Sequence, residues 1–178
     1  MSDSKNEKWM TWVALSTAVM AVLAAITTLY MGKFSSRAIL MQGQETNQWS
    51  YYQAKSIKSY LYEIQIEFME MERLEGASKN GKVNSQQFEK TLTRYKEAVK
   101  RYDREKSEIK AKGDQLAKQK VIAQDRGGNY GYALIFLQIG LMLSSIAALT
   151  KRKVLWYFGM IVTVGWIFFF LDAIFLFY

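Results

Sequence analysis

Three apolar runs, residues 9–31, 130–149 and 154–177, constrain this chain more than any other feature. Each has about 20 residues or more, enough at about 1.5 Å per residue to cross a roughly 30 Å hydrocarbon layer as a helix. Asp172 is the only charged side chain within them. Lipid offers no hydrogen bonds to a backbone, so each run is expected to be a helix. The first run exceeds the apolar core of about 7–15 residues found in signal peptides. Trp9, Trp12 and Tyr30 flank it as interfacial aromatics would, and it reads as an uncleaved anchor.

The sequence therefore predicts an all-α membrane protein with three transmembrane helices and a long antiparallel helical hairpin inserted between helices 1 and 2. The expected divisions are a short tail (1–8), a first span (9–31), an extramembrane hairpin (32–128, tip 76–84), a second span (129–149), a basic loop (150–153) and a third span (154–178). The mean hydropathy of −0.11 would suit a soluble chain only because it averages apolar ends with a charged middle. Residues 32–128 hold 19 Lys and Arg against 13 Asp and Glu, which is +6 of the net +8. Such a segment beside a bilayer suits anionic headgroups or an acidic partner. Its basic residues are interleaved with acids and form no groove-reading motif, so no nucleic-acid partner is expected.

Cysteine, histidine and proline are all missing. There is accordingly no thiol or imidazole for nucleophilic, acid–base or zinc chemistry, and no catalytic residue or cofactor is expected. Glu63, Glu67 and Glu70 share a helix face, but without a Glu-x-x-His partner no metal is expected there either. The lack of proline fits long unbroken helices.

Within the insert, Ala54, Ile57, Leu61, Ile64, Phe68 and Met71 recur at alternating spacings of three and four. Phe88, Leu92, Tyr95, Val99 and Tyr102 repeat the pattern, continuing to Ile109 and Leu116. This is the heptad spacing of a coiled coil. The breaker-rich segment 76–84 separates the arms, and Asn84 with Gln87 can form a capping box. Antiparallel pairing sets Met71 opposite Phe88, Phe68 opposite Leu92, Ile64 opposite Tyr95, Leu61 opposite Val99 and Ile57 opposite Tyr102. Those ten residues form the expected hairpin seam.

Towards the spans this seam becomes polar or small, while Trp49, Tyr51, Tyr52, Tyr60 and Tyr62 crowd the first arm. These aromatics, with Lys55 and Lys58, are expected to form an oligomer or partner interface. Ala14, Ala18, Ala21 and Ala25, and likewise Gly140, Ser144 and Ala148, are small-residue stripes suited to close helix packing in lipid. Gln138 and Asp172 are the intramembrane polar candidates.

Short loops follow the positive-inside rule, so Lys151, Arg152 and Lys153 place their loop and the amino terminus in the cytoplasm, with the hairpin outside it. Lys33, Arg37, Lys118, Lys120 and Arg126 on the hairpin side weigh against this.

Residues 48–63, with Leu137-Gln138, the Lys-Arg-Lys-Val-Leu-Trp-Tyr turn and Leu171-Asp172, carry a further signal. Together they resemble the bacterial family termed domain of unknown function 4337. The resemblance covers nearly the whole chain and implies a multi-pass protein of the bacterial inner membrane, with no established activity. The expected role is that of a self-associating scaffold or partner-binding protein, with the lipid bilayer, further copies of the chain and an unidentified protein as partners. The alternative is a subunit of an ion or proton channel or transporter that uses Asp172 and Gln138.

Overall fold

The computed structural model describes residues 2–78 and 85–177, with side chains at 8–74 and 86–177. The chain forms three α-helices, α1 (Ser2–Ser78), α2 (Ser85–Thr150) and α3 (Lys153–Phe175), and no strand among the described residues. All three contain stretches long and apolar enough to cross a membrane. The expected turn at 76–84 is shorter at its leading edge, because α1 stays helical through Ser78. Asn84 lies outside the described residues.

Two compact units emerge. One comprises Met1–Leu40 with Gln119–Tyr178, and the other Met41–Lys118.

In the first unit the inner face of α1 carries Trp9, Val13, Met20, Thr27 and Ala38, all buried. From α2 it receives Ala123, Tyr130, Ala133, Leu137, Ser144 and Ala147. The two small-residue stripes behave differently. Gly140 and Ser144 are buried, and a Cβ placed on Gly159 of α3 would lie 3.0 Å from the Gly140 carbonyl and 3.2 Å from the Ser144 hydroxyl. Close backbone approach between α2 and α3 rests on these glycines. Ala14, Ala18, Ala21 and Ala25 are exposed, on the face of α1 turned away from Val13, Met20 and Thr27.

Two indoles of α3 reach α1. Trp156 Nε1 donates to Ser16 Oγ and Trp166 Nε1 to Thr27 Oγ1, each at 3.0 Å. Ser16 and Thr27 in turn donate to the carbonyls of Val13 and Leu23 in their own helix. No indole or hydroxyl of the four is left unsatisfied, as an apolar surrounding requires. An aromatic stack of Tyr30, Tyr130 and Phe34 has centroid spacings of 5.5 and 5.7 Å, and Phe170 meets Tyr130 edge-on at 5.3 Å.

Only Lys151 and Arg152 separate α2 from α3. Lys151 sits in the left-handed region (φ 54°) and Arg152 is extended (φ −97°, ψ 106°), which reverses the chain in two residues.

In the second unit α1 and α2 run antiparallel. Arg73 pairs with Glu89 at 3.0 Å, Glu70 with Lys96 at 2.9 Å and Lys55 with Glu105 at 2.6 Å. Nearer the chain's ends, the Trp49 indole packs over Gly113. These pairs follow the axial register expected from the heptads.

The rotation of α1 does not follow that expectation. Ile57, Leu61, Ile64, Phe68 and Met71 are 45–60 % exposed, so the first-arm half of the expected seam faces away from α2. The inward stripe is instead Tyr52, Lys55, Ser59, Tyr62, Ile66 and Met69, roughly half a turn around the helix. Tyr62 explains the choice. It meets Tyr95 edge-on at 5.3 Å and stacks on Tyr102 at 5.9 Å, while the small Ser59 is fully buried and allows close approach. On α2 the inward face carries Leu92 and Tyr102, both buried, and Phe88, Tyr95 and Val99, half-buried.

Candidate interaction surface

The geometry of the second unit sorts the interface candidates into two groups. Trp49, Tyr52 and Lys55 take part in the contact between α1 and α2. A Cβ on Gly113 would lie 3.5 Å from the Trp49 indole, and Tyr52 meets that indole edge-on at 5.9 Å. The missing side chain of Gly113 makes the room. Trp49 stays 38 % exposed, so the seam uses one part of this ring and leaves the rest uncovered.

Lys55 does two things at once. Its ammonium pairs with Glu105 and lies 5.3 Å over the Tyr102 ring. The hydrogen bond from Lys55 holds the Glu105 carboxyl below the usual carboxylate range, with further help from Arg101 and Lys58. At the next residue, the bond to Asp103 raises the Lys106 ammonium above its ordinary value. Tyr51, Lys58 and Tyr60 are exposed.

The carboxylates Glu63, Glu67 and Glu70 do not converge. Glu63 accepts from the Ser59 hydroxyl at 3.0 Å, Glu70 is paired with Lys96, and Glu67 is exposed. No group of metal-ligating side chains forms among the described residues.

The surface that remains is the outer face of α1. Ile57, Leu61, Ile64, Phe68 and Met71 form a continuous apolar ridge at heptad spacing, with Leu74 (74 % exposed) at its end. Glu67 lies on one flank and Glu72 on the other; both are exposed, and neither has an ion pair with a described residue. The charge on the two arms is opposite. Residues 41–78 hold three Lys and Arg against six Glu, or −3, and residues 85–118 hold ten Lys and Arg against six Asp and Glu, or +4. The outward face of α2 carries Lys90, Thr93, Glu97, Lys100, Arg104 and Glu108, with no apolar ridge.

In the first unit, Asp172 and Gln138 are treated very differently. Asp172 is 6 % exposed. Its carboxylate accepts from Asn129 Nδ2 at 2.7 Å and from the Phe177 backbone N–H at 2.9 Å, and its carbonyl accepts from the Leu176 N–H at 2.7 Å. It thus closes the end of α3 and ties it to α2. Gln138 is exposed on the outside of α2. Asn129 was not among the candidates; its one sequence signal is an amide placed at the start of an apolar run.

A family model, that of a domain of unknown function (DUF4337), matches residues 9–176. The chain belongs to this family. No curated protein and no solved structure matches it. The family match extends over the DUF4337 chain from Trp9 to Leu176, so both compact units lie within it.

Proposed function

We propose that this DUF4337 member is a self-associating membrane scaffold, anchored by three spans and assembled through the outer face of its antiparallel helical pair. The exposed heptad ridge carries this reading. Five large apolar side chains in sequence register, about half exposed on a segment otherwise rich in charge, form a larger patch than a soluble face ordinarily leaves to water. Covering such residues contributes on the order of 1–3 kcal/mol each. Heptad spacing is what a second helix recognises.

The membrane arrangement follows the short basic loop. Lys151, Arg152 and Lys153 lie on the cytoplasmic side of a bacterial inner membrane together with the amino terminus, and the antiparallel pair projects outside the cytoplasm. The channel reading gains less support, since Asp172 is engaged as a cap and Gln138 lies on a different face.

The test is the mass of the full chain extracted in mild detergent. Wild type is expected to run as an oligomer, and the double variant Leu61→Gln, Phe68→Gln as a monomer of unchanged helix content. An unchanged oligomer in the double variant would overturn the role of the ridge.

A further inference from the structure

Resting on the self-association just proposed, we infer that neighbouring copies join head to tail, with the apolar and acidic outer face of α1 in one copy seated on the basic outer face of α2 in the next. Three observations carry this. The two outer faces point away from each other in one pair of helices, because each helix turns its other side inward. A row of copies therefore presents unlike faces to each other. The charges beside these faces are complementary: Glu67 and Glu72 flank the α1 ridge, while Lys90, Arg94, Lys100 and Arg104 outnumber Glu97 and Glu108 on the outer side of α2. Pairing α1 with α1 would bring acid to acid instead. In a parallel heptad pairing, Glu67 of one copy would lie beside Glu72 of the other.

The level of the charges agrees as well. In a row of copies laid side by side without axial shift, the levels seen within one chain apply between chains. Counting back one residue from the Arg73–Glu89 pair puts Glu72 level with Lys90. Counting from that pair and from Lys55–Glu105 brackets Arg94 as the residue level with Glu67, and counting from Glu70–Lys96 sets Arg94 level with Glu72. Lys90 and Arg94 are exposed and, like Glu67 and Glu72, have no ion pair with a described residue. Both levels match opposite charges. The aliphatic stems of Lys90, Arg94 and Lys100 supply apolar cover for the ridge while their heads reach the flanking carboxylates. An interface of two different faces does not use itself up, so it propagates to a closed ring or an open row.

The experiment is a charge exchange in the full chain, made in the same membrane and read as oligomer mass in mild detergent. One variant carries Glu67→Lys and Glu72→Lys, the other Lys90→Glu and Arg94→Glu, with helix content checked by circular dichroism. Each alone is expected to lose at least tenfold of the assembled fraction, and the two co-expressed with different tags are expected to recover it as mixed oligomers. Raised salt should weaken the wild-type assembly. If the Lys90→Glu, Arg94→Glu variant assembles as wild type does, the α2 face is not involved and the head-to-tail arrangement is overturned while self-association stands. A wild type that is monomeric throughout overturns both. The milder pair Glu67→Gln, Glu72→Gln guards against misfolding and is expected to give an intermediate loss.

Discussion

The side-chain amide of Asn129 donates to the Asp172 carboxylate at 2.7 Å, joining α2 to the last turn of α3. Since the same carboxylate also receives the Phe177 N–H, Asp172→Ala strips acceptors from two donors at once. A loss of about 1–3 kcal/mol is expected, because a buried donor left without its acceptor pays its full desolvation. Asp172→Asn keeps an acceptor oxygen and should cost less. Thermal unfolding of the full chain in detergent measures both. In proteoliposomes, Asp172→Asn should leave proton flux at the wild-type level; abolition of a wild-type flux would revive the channel reading.

Glycine in α2 and α3 has no uniform effect. Gly159→Ala brings a methyl to 3.0 Å from the Gly140 carbonyl, with Leu143 at 3.3 Å behind it. Backbone cannot retreat as a flexible side chain can, so a loss of about 1–3 kcal/mol is expected. At Gly128 nothing lies within 4 Å, and Gly128→Ala should gain up to about 1 kcal/mol from helix propensity. Melting temperatures of the two variants should therefore move in opposite directions.

The rotation of α1 can be checked directly, since the chain has no cysteine of its own. Tyr62→Cys with Tyr95→Cys should be bridged within one chain by a short bifunctional maleimide, their rings being 5.3 Å apart. Leu61→Cys with Val99→Cys should not be, because Leu61 faces outward. Bridging of the second pair but not the first would restore the rotation expected from the heptads.

That comparison shows what the sequence made legible. The three apolar runs and the inner face of α2 could be read because one strong periodic signal ran through each. The axial register of the antiparallel pair was legible too, since both arms begin and end together. The inner face of α1 was not, because residues 52–71 carry two stripes. Ile57, Leu61, Ile64, Phe68 and Met71 form the more apolar one, and pattern reasoning selects it. The other mixes Ser59, Lys55 and Tyr62, whose fit depends on the tyrosines of α2. Side chains that satisfy one another across helices leave no periodic trace. Asn129 is the same case, meaningful only once Asp172 is seen beside it.

Acidification should act through Glu105. Its carboxyl is held below the usual value by Lys55, so the stability it contributes is present above the unfolded value near 4.5 and is lost as pH falls through the depressed folded value. Lys55→Met removes the main cause. The difference in melting temperature between wild type and this variant should be largest near neutral pH and shrink below about pH 4. A difference that is independent of pH would mean that Lys55 acts through its packing on Tyr102 alone.

The two indole–hydroxyl bonds between α3 and α1 have a mechanical consequence. Trp156 and Trp166 are ten residues apart, and their acceptors Ser16 and Thr27 are eleven apart, so the rungs match at both ends of two parallel helices. Sliding α3 by one turn, about 5.4 Å, would strand both indole N–H groups in an apolar layer at a cost of several kcal/mol. Piston motion between these helices is thereby closed off. Any displacement that crosses the bilayer through this pair must travel as a tilt or a roll of both together, like a single strut pinned at two heights.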